Sequence, residues 1–293
     1  MRISTCKLFL IGTWAAALFL ACGTINGRVQ ANPGVPTGVA LAAVYDESSS
    51  NFPISDAAAA AKVVPSSWEP RPQNATANRT TPTEAELARV VALPNLNSDT
   101  AIVHRVSGSY TGTTDEILQW GAAKWGFSPD LVRAIAVNES KWNQSVEGDC
   151  THDNRFCVGS GRRENGDSWG ILQVKQSSYR IPARMPDGRP CQDPGNGTNA
   201  DTGCYPLSHL STAFNVDYKL MWQRACMNKS LFYLNRQNPI AGHAKYADAT
   251  GDELLWGCVG AWFHGWYVAP DTLDYIGNVQ RIMANRDWTK PGF

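Results

Sequence analysis

The sequence predicts a mainly α-helical domain with at most a small β element. Apolar residues recur at intervals of three and four in several segments of its second half, which is the spacing of one helix face. Alternation of apolar and polar residues, which is typical of half-buried strands, is scarce. The chain of 293 residues is long enough for one domain with extensions, and no internal repeat is visible.

The clearest helical segment runs from residue 128 to residue 142. Ser128 is a good N-cap, and the proline that follows suits the first helical position. Leu131, Ile135 and Glu139 then recur every four residues, so an apolar face ends in a carboxylic acid. Because an unpaired carboxylate is costly to bury, such a group tends to hold its proton, as a general acid must. Glu139 is therefore the candidate catalytic residue, on what we take to be the central helix. The alternative is a surface side chain at a frayed helix end.

Further helices are indicated on both sides of this segment. Thr113 and Glu116 form a capping-box pattern before a helix that ends near Trp125. Apolar periodicity predicts three later helices, over Leu210–Leu234, Asp252–His264 and Asp271–Met283. The short apolar run from Ser168 to Val174 fits a strand, a short helix or a turn, so the β element is expected near Gln173 or in the loops.

Residues 1–23 have the pattern of a secretory signal peptide. A basic start precedes an apolar run of about 14 residues, which is short for a membrane span, and small residues allow cleavage after Gly23. The alternatives are a lipoprotein anchored through Cys22 and an uncleaved membrane anchor. The protein is expected to be exported to the periplasm or cell envelope, or to be secreted.

Residues 24–105 form a Pro/Ala/Ser-rich stretch that is predicted to be a largely disordered linker. Two short helices are expected within it, over Asp56–Val64 and Glu84–Ala92. This tether is either a flexible spacer or a segment whose second helix docks onto the domain. It could also reach an envelope or secretion-machinery partner. The domain itself is expected to span residues 106–293.

Six cysteines remain once the signal is removed, and an even number in an exported chain implies disulfides. Spacing favours three pairs, which are Cys150–Cys157, Cys191–Cys204 and Cys226–Cys258. The competing zinc site lacks a Cys-x-x-Cys pair and a histidine pair at ligand spacing. No metal and no cofactor is therefore expected.

Charge excludes one class of partner. The formal net charge is zero and basic residues form no stripe, which argues against a nucleic-acid partner. The eleven tryptophans are mostly expected in the core, although rings that line a groove would also suit sugar faces. We expect the chain to act as a monomer.

Five motifs lie in chain order between about residues 110 and 290. They are Glu139-Ser140, Gly170-Ile-Leu-Gln173, Phe214-Asn-Val216, Gly260-Ala-Trp-Phe-His-Gly265, and Tyr275-Ile276 with Val279. The ordered set resembles that of the lysozyme-like lytic transglycosylases, the family that includes goose-type lysozymes. The first motif is similar to the family's catalytic Glu-Ser pair, and the second to its Gly-Leu-Met-Gln stretch, which lines the glycan groove. The chain departs from the family where Phe263-His264 replaces the usual Asn-Ala.

The resemblance implies an α+β lysozyme-like fold and cleavage of peptidoglycan glycan strands. The bond would be the β-1,4 link from N-acetylmuramic acid to N-acetylglucosamine, and the product a 1,6-anhydro sugar. Glu139 would act first as acid and then as base. Substrate contacts would come from Ser140, Ser168, Gly170, Gln173, Trp262, His264 and Tyr275. For Tyr275 the alternative is a core tyrosine, and for Gln173 an amide that caps the backbone.

Two other functions stay open. A hydrolytic, lysozyme-like muramidase would need a second carboxylate to activate water. Asp167 is the best-placed candidate, while Asp149 and Asp153 are weaker and a related chitinase or chitosanase is less favoured. The third hypothesis is an inactive glycan-binding envelope protein, which the retained Glu139 argues against.

Overall fold

The computed structural model describes Tyr45, residues 51–88, Val90, residues 100–148, residues 168–175, residues 183–185, Arg189 and residues 205–293. These ranges are mainly helical, as predicted. The α-helices are α1 (Asp56–Ala60), α2 (Glu84–Leu87), α3 (Thr114–Trp125), α4 (Pro129–Ser140), α5 (Leu207–Leu210), α6 (Thr212–Met227), α7 (Gly251–His264) and α8 (Pro270–Asn285). Shorter 3₁₀ turns lie at Pro72–Ala75, Ala77–Arg79, Thr100–Arg105, Phe232–Arg236 and Asp287–Thr289.

Helices α3 and α4 follow the signals in the sequence. The predicted capping box is present, because Thr113 N–H donates to Glu116 Oε2 at 2.7 Å and Glu116 N–H donates to Thr113 Oγ1 at 3.3 Å. Gly126 ends α3 in the left-handed conformation, with φ of 73°. Ser128 caps α4, since its Oγ accepts from the N–H of Asp130 at 3.2 Å.

The most enclosed helix is α6, in which every residue is buried. It takes the central place that the sequence analysis gave to the helix of Glu139. Burial is possible because its charged side chains have partners. Asp217, for example, accepts from Lys124 Nζ at 2.7 Å and from Trp125 Nε1 at 2.6 Å.

The helix α6 ends at Met227, so the predicted extension to Leu234 is wrong. Lys229 adopts a left-handed conformation with φ of 58°, and the N–H of Ser230 closes the end by bonding the carbonyl of Ala225 at 2.9 Å. Apolar periodicity continues past this point, because the following 3₁₀ turn is also packed against the core.

The predicted disulfide between Cys226 and Cys258 is confirmed. It joins α6 to α7 with a Cα–Cα distance of 5.8 Å. The two other expected pairs, Cys150–Cys157 and Cys191–Cys204, lie outside the described residues.

The predicted β element consists of short antiparallel strands. Strands β1 (Glu147–Gly148), β2 (Ser168–Trp169) and β3 (Val174–Lys175) form one sheet in that order. Trp169 is opposite Glu147 on one side and Val174 on the other. A tight turn, residues 170–173, joins β2 to β3. Strands β4 (Ala183–Arg184) and β5 (Tyr205–Pro206) form a separate pair.

Residues 51–88 are folded against the domain, which corrects the prediction of a largely disordered linker and of a domain that begins at residue 106. We call residues 51–88 the N-terminal strap. Asp56 on α1 forms an ion pair with buried Lys124 at 2.7 Å. Glu69 Oε2 accepts from the N–H of Thr114 at 2.7 Å. The ring of Trp68 meets that of Trp142 edge to face, with centroids 5.6 Å apart.

The strap escaped the composition argument because polar groups hold it in place. Asn74 and Asn78 are both buried, and both donate to the hydroxyl of Thr114 at 3.1 Å. Asn74 is bonded through both of its groups, because its Nδ2 also donates to the carbonyl of Trp142 and its Oδ1 accepts from the N–H of Gln144. A buried amide costs little when each of its groups is bonded, so a segment with few large apolar residues can still be ordered. Helix α2, at the start of the second expected short helix, begins with a capping box of Thr83 and Glu86.

No helix within the described ranges is long and apolar enough to cross a membrane. The expected signal peptide, residues 1–23, lies outside those ranges.

Candidate functional site

The site is built where α4 and α8 meet. The hydroxyl of Tyr275, on α8, donates a hydrogen bond to Oε1 of Glu139 at the end of α4. Tyr275 is buried, and burial raises the pKa of its hydroxyl well above 10, with a further increase from the charge of Glu139. The hydroxyl therefore keeps its proton and acts as a donor. The part of this contact in a reaction stays a prediction.

An exposed aromatic ring covers Tyr275. Phe263, near the end of α7, stacks on it with ring centroids 4.9 Å apart and planes 10° apart. Its side chain is 47% exposed, so one face packs on Tyr275 while the residue stays open to solvent. Phe263 is thus an open apolar surface beside the Tyr275–Glu139 pair.

The turn between β2 and β3 is bound to α4 next to Glu139. Ser140 is buried, and its Oγ donates to the carbonyl of Ile171 at 2.9 Å. On the opposite side, Trp262 Nε1 donates to the carbonyl of Leu172 at 3.1 Å, and Leu172 N–H donates to Asn215 Oδ1 at 2.8 Å. The turn is therefore held by α4, α6 and α7 together.

Gln144 also binds this turn. Its Oε1 accepts from the N–H of Ile171 at 3.0 Å, and its Nε2 donates to the carbonyls of Ser208 and His209 at 2.8 and 2.9 Å. Asn74 of the strap in turn accepts from the N–H of Gln144 at 3.0 Å. The strap is thereby joined to the groups around Glu139.

Three of the expected substrate contacts lie in this β element. Gly170 has φ of +79°, and a Cβ there would stand 2.4 Å from Asn215 Nδ2 and 2.5 Å from the carbonyl oxygen of Ser208. Gln173 Nε2 donates to the carbonyls of Gly170 and Val146 at 2.8 and 3.1 Å, as a backbone-capping amide does. Ser168 is buried in β2. These positions shape the turn, and their contacts with sugars stay predictions.

The remaining expected residues are placed differently. Trp262 is partly buried and spans from the turn to α6. His264 is exposed at the end of α7, 3.9 Å from Asp271 between Nε2 and Oδ2. Asp167, the expected base of the hydrolytic alternative, lies outside the described residues.

Two ionisable side chains, one on β1 and one on α6, were not predicted from the sequence. Glu147, on β1, is half-buried, and burial raises the pKa of its carboxyl to about 7. Lys219, on α6, is fully buried, and burial lowers the pKa of its amine to about 7, against the charge of Glu139, which raises it. The sequence gives Lys219 no distinctive signal, because α6 also contains Asp217, Gln223 and Arg224.

The sequence predicted no contact for Phe263, which appeared only as a departure from the family pattern. It predicted none for Asn74, which lies in the stretch expected to be a linker. Among the described residues, no group of three or more His, Cys, Asp or Glu side chains could hold a metal ion. The arrangement offers one carboxyl with a fixed phenol donor, a tightly held backbone turn and an exposed ring. That set suits proton transfer to a bound polar molecule with an apolar face.

Comparisons with family models, with curated proteins and with solved structures found no match to this chain.

Proposed function

We propose that this protein is a peptidoglycan lytic transglycosylase in which Glu139 is the only acid and base. The observation that carries the proposal is the Glu139 carboxyl at the end of an apolar helix face, bonded by the hydroxyl of Tyr275. A carboxyl held by a neutral donor, next to an exposed aromatic ring, suits proton transfer to a sugar oxygen. The motif resemblance supplies the substrate class.

The mechanism consists of two proton transfers, one from Glu139 and one to it. Glu139 first gives its proton to the glycosidic oxygen, so the bond from C1 to that oxygen breaks. The acetamido oxygen of the same sugar attacks C1 and forms a cyclic oxazolinium. The Glu139 carboxylate then takes the proton of the C6 hydroxyl, whose oxygen displaces the acetamido oxygen at C1. The product is a 1,6-anhydro ring, no water is consumed, and Glu139 ends protonated as it began.

The surrounding residues have separate roles in this proposal. Tyr275 orients the carboxyl and stabilises it after it has lost its proton. Ser140 and Trp262 hold the turn at Ile171 and Leu172 whose backbone borders the groove. Phe263 would carry the apolar face of a sugar ring.

A hydrolytic muramidase is the second candidate, and one observation favours it. Hydrolysis needs another carboxylate that activates water, and Glu147 is a half-buried carboxyl on the sheet that carries the turn. Asp167 keeps the same proposed role. An inactive glycan-binding protein is the third candidate.

Mass analysis of peptidoglycan fragments separates the three. Purified cell walls are treated with the full chain or with its Glu139→Gln variant, and soluble fragments are weighed. The proposal predicts fragments that end in 1,6-anhydro-N-acetylmuramic acid with the wild type and none with the variant. Fragments with reducing ends, which are one water heavier, would support the hydrolase instead and make Glu147 and Asp167 the candidate bases. Wall binding without any fragments would favour the binding protein.

A further inference from the structure

Lys219 carries a buried amine that the mechanism above does not use. Its side chain is fully buried in α6, its Nζ donates to Gln223 Oε1 at 2.7 Å, and Nζ lies 4.8 Å from the centre of the Trp262 ring. An amide oxygen and a ring face stabilise an ammonium ion only in part. Such a group is costly to keep charged unless a carboxylate lies near.

The structure places Lys219 across the β2–β3 turn from Glu139. On one side, Ser140, the neighbour of Glu139, binds the carbonyl of Ile171. On the other side, Leu172 is bound by Asn215, one helical turn before Lys219, and by Trp262, whose ring covers the amine. Consecutive turn residues thus join the helix of Glu139 to the helix of Lys219.

Helix α7 makes a second connection. Trp262 contacts Lys219, while the next residue, Phe263, stacks on Tyr275, whose hydroxyl binds Glu139. The negative charge of Glu139 raises the pKa of the Lys219 amine, while burial lowers it by a larger amount.

Other charges of the elements around α6 are engaged elsewhere or exposed. On the opposite face of the helix, Asp217 is bound to Lys124, and Arg224 donates to the carbonyls of Trp125 and Gly126. Burial lowers the pKa of His209 to about 4, so it is neutral near pH 7. The remaining charged or titratable groups on these elements are Arg79, His104, Arg105, Asp115, Glu116, Lys175, Tyr218, Asp252, Glu253 and His264.

We propose that Lys219 is a positioning residue that stabilises the carboxylate form of Glu139 through the electric field of its ammonium group. The inference rests on the proposed function for its meaning in catalysis, but the electrostatic relation stands by itself. When Glu139 gives its proton to the leaving oxygen, the new carboxylate attracts the ammonium group of Lys219, and burial of the amine limits the screening of this attraction by water. Lys219 thereby makes Glu139 a stronger acid without touching the substrate.

The test replaces the amine and titrates Glu139 directly. Lys219→Met keeps the length of the side chain and fills the buried space with apolar atoms, which buried sites tolerate well. The carboxyl of Glu139 is followed by carbon-13 NMR in the glutamate-labelled full chain, and its signal is identified by its loss in Glu139→Gln. Lys245→Met, at an exposed position, removes the same charge far from any buried partner and is the matched control.

The titration midpoint of Glu139 is expected to rise by about one pH unit or more in Lys219→Met, because one nearby positive charge is lost. It should stay unchanged in Lys245→Met. A midpoint that moves by less than about 0.3 unit in Lys219→Met would overturn the inference. Lys219→Gln, which keeps a polar end, serves as second variant if the methionine form does not fold.

Cleavage provides an independent measurement. If the proposed function holds, the alkaline limb of the pH profile moves upward with the Glu139 midpoint in Lys219→Met, and the maximal rate falls. A protein that cleaves no wall but shows the shifted midpoint would refute the proposed function and keep the electrostatic relation. Cleavage with an unchanged pH profile and an unchanged Glu139 midpoint would refute the electrostatic relation and keep the proposed function.

Discussion

The hydroxyl of Tyr275 donates its hydrogen bond to Oε1 of Glu139, and the two side chains come from helices that are more than a hundred residues apart in the chain. Burial of Tyr275, together with the charge of Glu139, keeps this hydroxyl protonated. It is therefore a fixed donor to the carboxyl that the proposed reaction uses.

Tyr275→Phe should slow cleavage more than it destabilises the fold. The ring still packs under Phe263, while the carboxylate loses a charge-assisted hydrogen bond, which contributes about 1.5–3 kcal/mol. The maximal rate should fall about 10- to 100-fold with little change in KM.

Tyr267→Phe is the control for this change. It removes another buried hydroxyl, which donates to the carbonyl of Glu253 at 2.8 Å, and should leave the rate unaffected. Equal losses of activity in the two variants would contradict the role given to Tyr275.

The strap should be needed for activity as well as for stability. Asn74→Ala leaves the carbonyl of Trp142 and the N–H of Gln144 without their partner, at a cost of about 2–4 kcal/mol for two buried groups. Because both groups follow Glu139 closely in the chain, the rate of cleavage should fall in the folded fraction.

Asn78→Ala is the matched control for the strap. This amide is equally buried and binds Glu69 and Thr114, but not the segment after α4. Urea unfolding should show a smaller loss of stability in Asn78→Ala than in Asn74→Ala, because Asn78 is bonded through its Nδ2 alone. Only Asn74→Ala should lower the rate per folded molecule, and an unchanged rate would remove the strap from the account of the site.

Gly170→Ala should disrupt the turn between β2 and β3. The added methyl group would meet the carbonyl oxygen of Ser208 at 2.5 Å, where backbone cannot move aside easily, in addition to a strained positive φ. Gly265→Ala has a similar φ of +73° but open space around it. We expect about 1 kcal/mol of destabilisation at Gly265 and at least about 2 kcal/mol more at Gly170, measured by urea unfolding. Equal values would show that the clash is relieved.

Acid should destabilise the protein through His209. Its ring stacks on Tyr205 at 4.2 Å, and burial lowers the pKa from 6.5 to about 4. The unfolded chain therefore binds a proton that the folded chain refuses between these pH values, so stability is complete above pH 6.5 and falls as pH decreases toward 4.

The loss through His209 should reach about 3 kcal/mol. His209→Phe keeps a ring in the stack and should reduce the slope of the free energy of unfolding against pH over this interval. A slope identical to that of the wild type would show that the histidine is solvated when folded.

Local signals predicted the elements of this fold better than their packing. Capping residues such as Thr113 and Ser128, and the glycine at 126, act within a few residues, so the bounds of α3 and α4 are legible in the sequence. The start of the domain was missed because Asn74 and Glu69 are stabilised by groups some 40 to 70 residues away, and composition alone marks such residues as solvated.

The same difference between local signals and packing applies to the residues of the candidate site. Glu139 could be found because an apolar helix face that ends in a carboxylic acid is a local pattern, and the motif order drew attention to Tyr275. Lys219 and Phe263 could not be found in this way, because their roles depend on two contacts of α7. The ring of Trp262 lies against the amine of Lys219, and the ring of Phe263 stacks on Tyr275. Such meetings depend on tertiary packing.

The most direct test of the account measures the soluble sugar released from purified peptidoglycan by the wild type and by Glu139→Gln, with binding to the same insoluble wall measured in parallel. The account predicts release by the wild type, a loss of at least about 1,000-fold in the variant, and equal binding of both forms. Undiminished release by a folded Glu139→Gln protein would show that the acid lies elsewhere and would contradict the central claim.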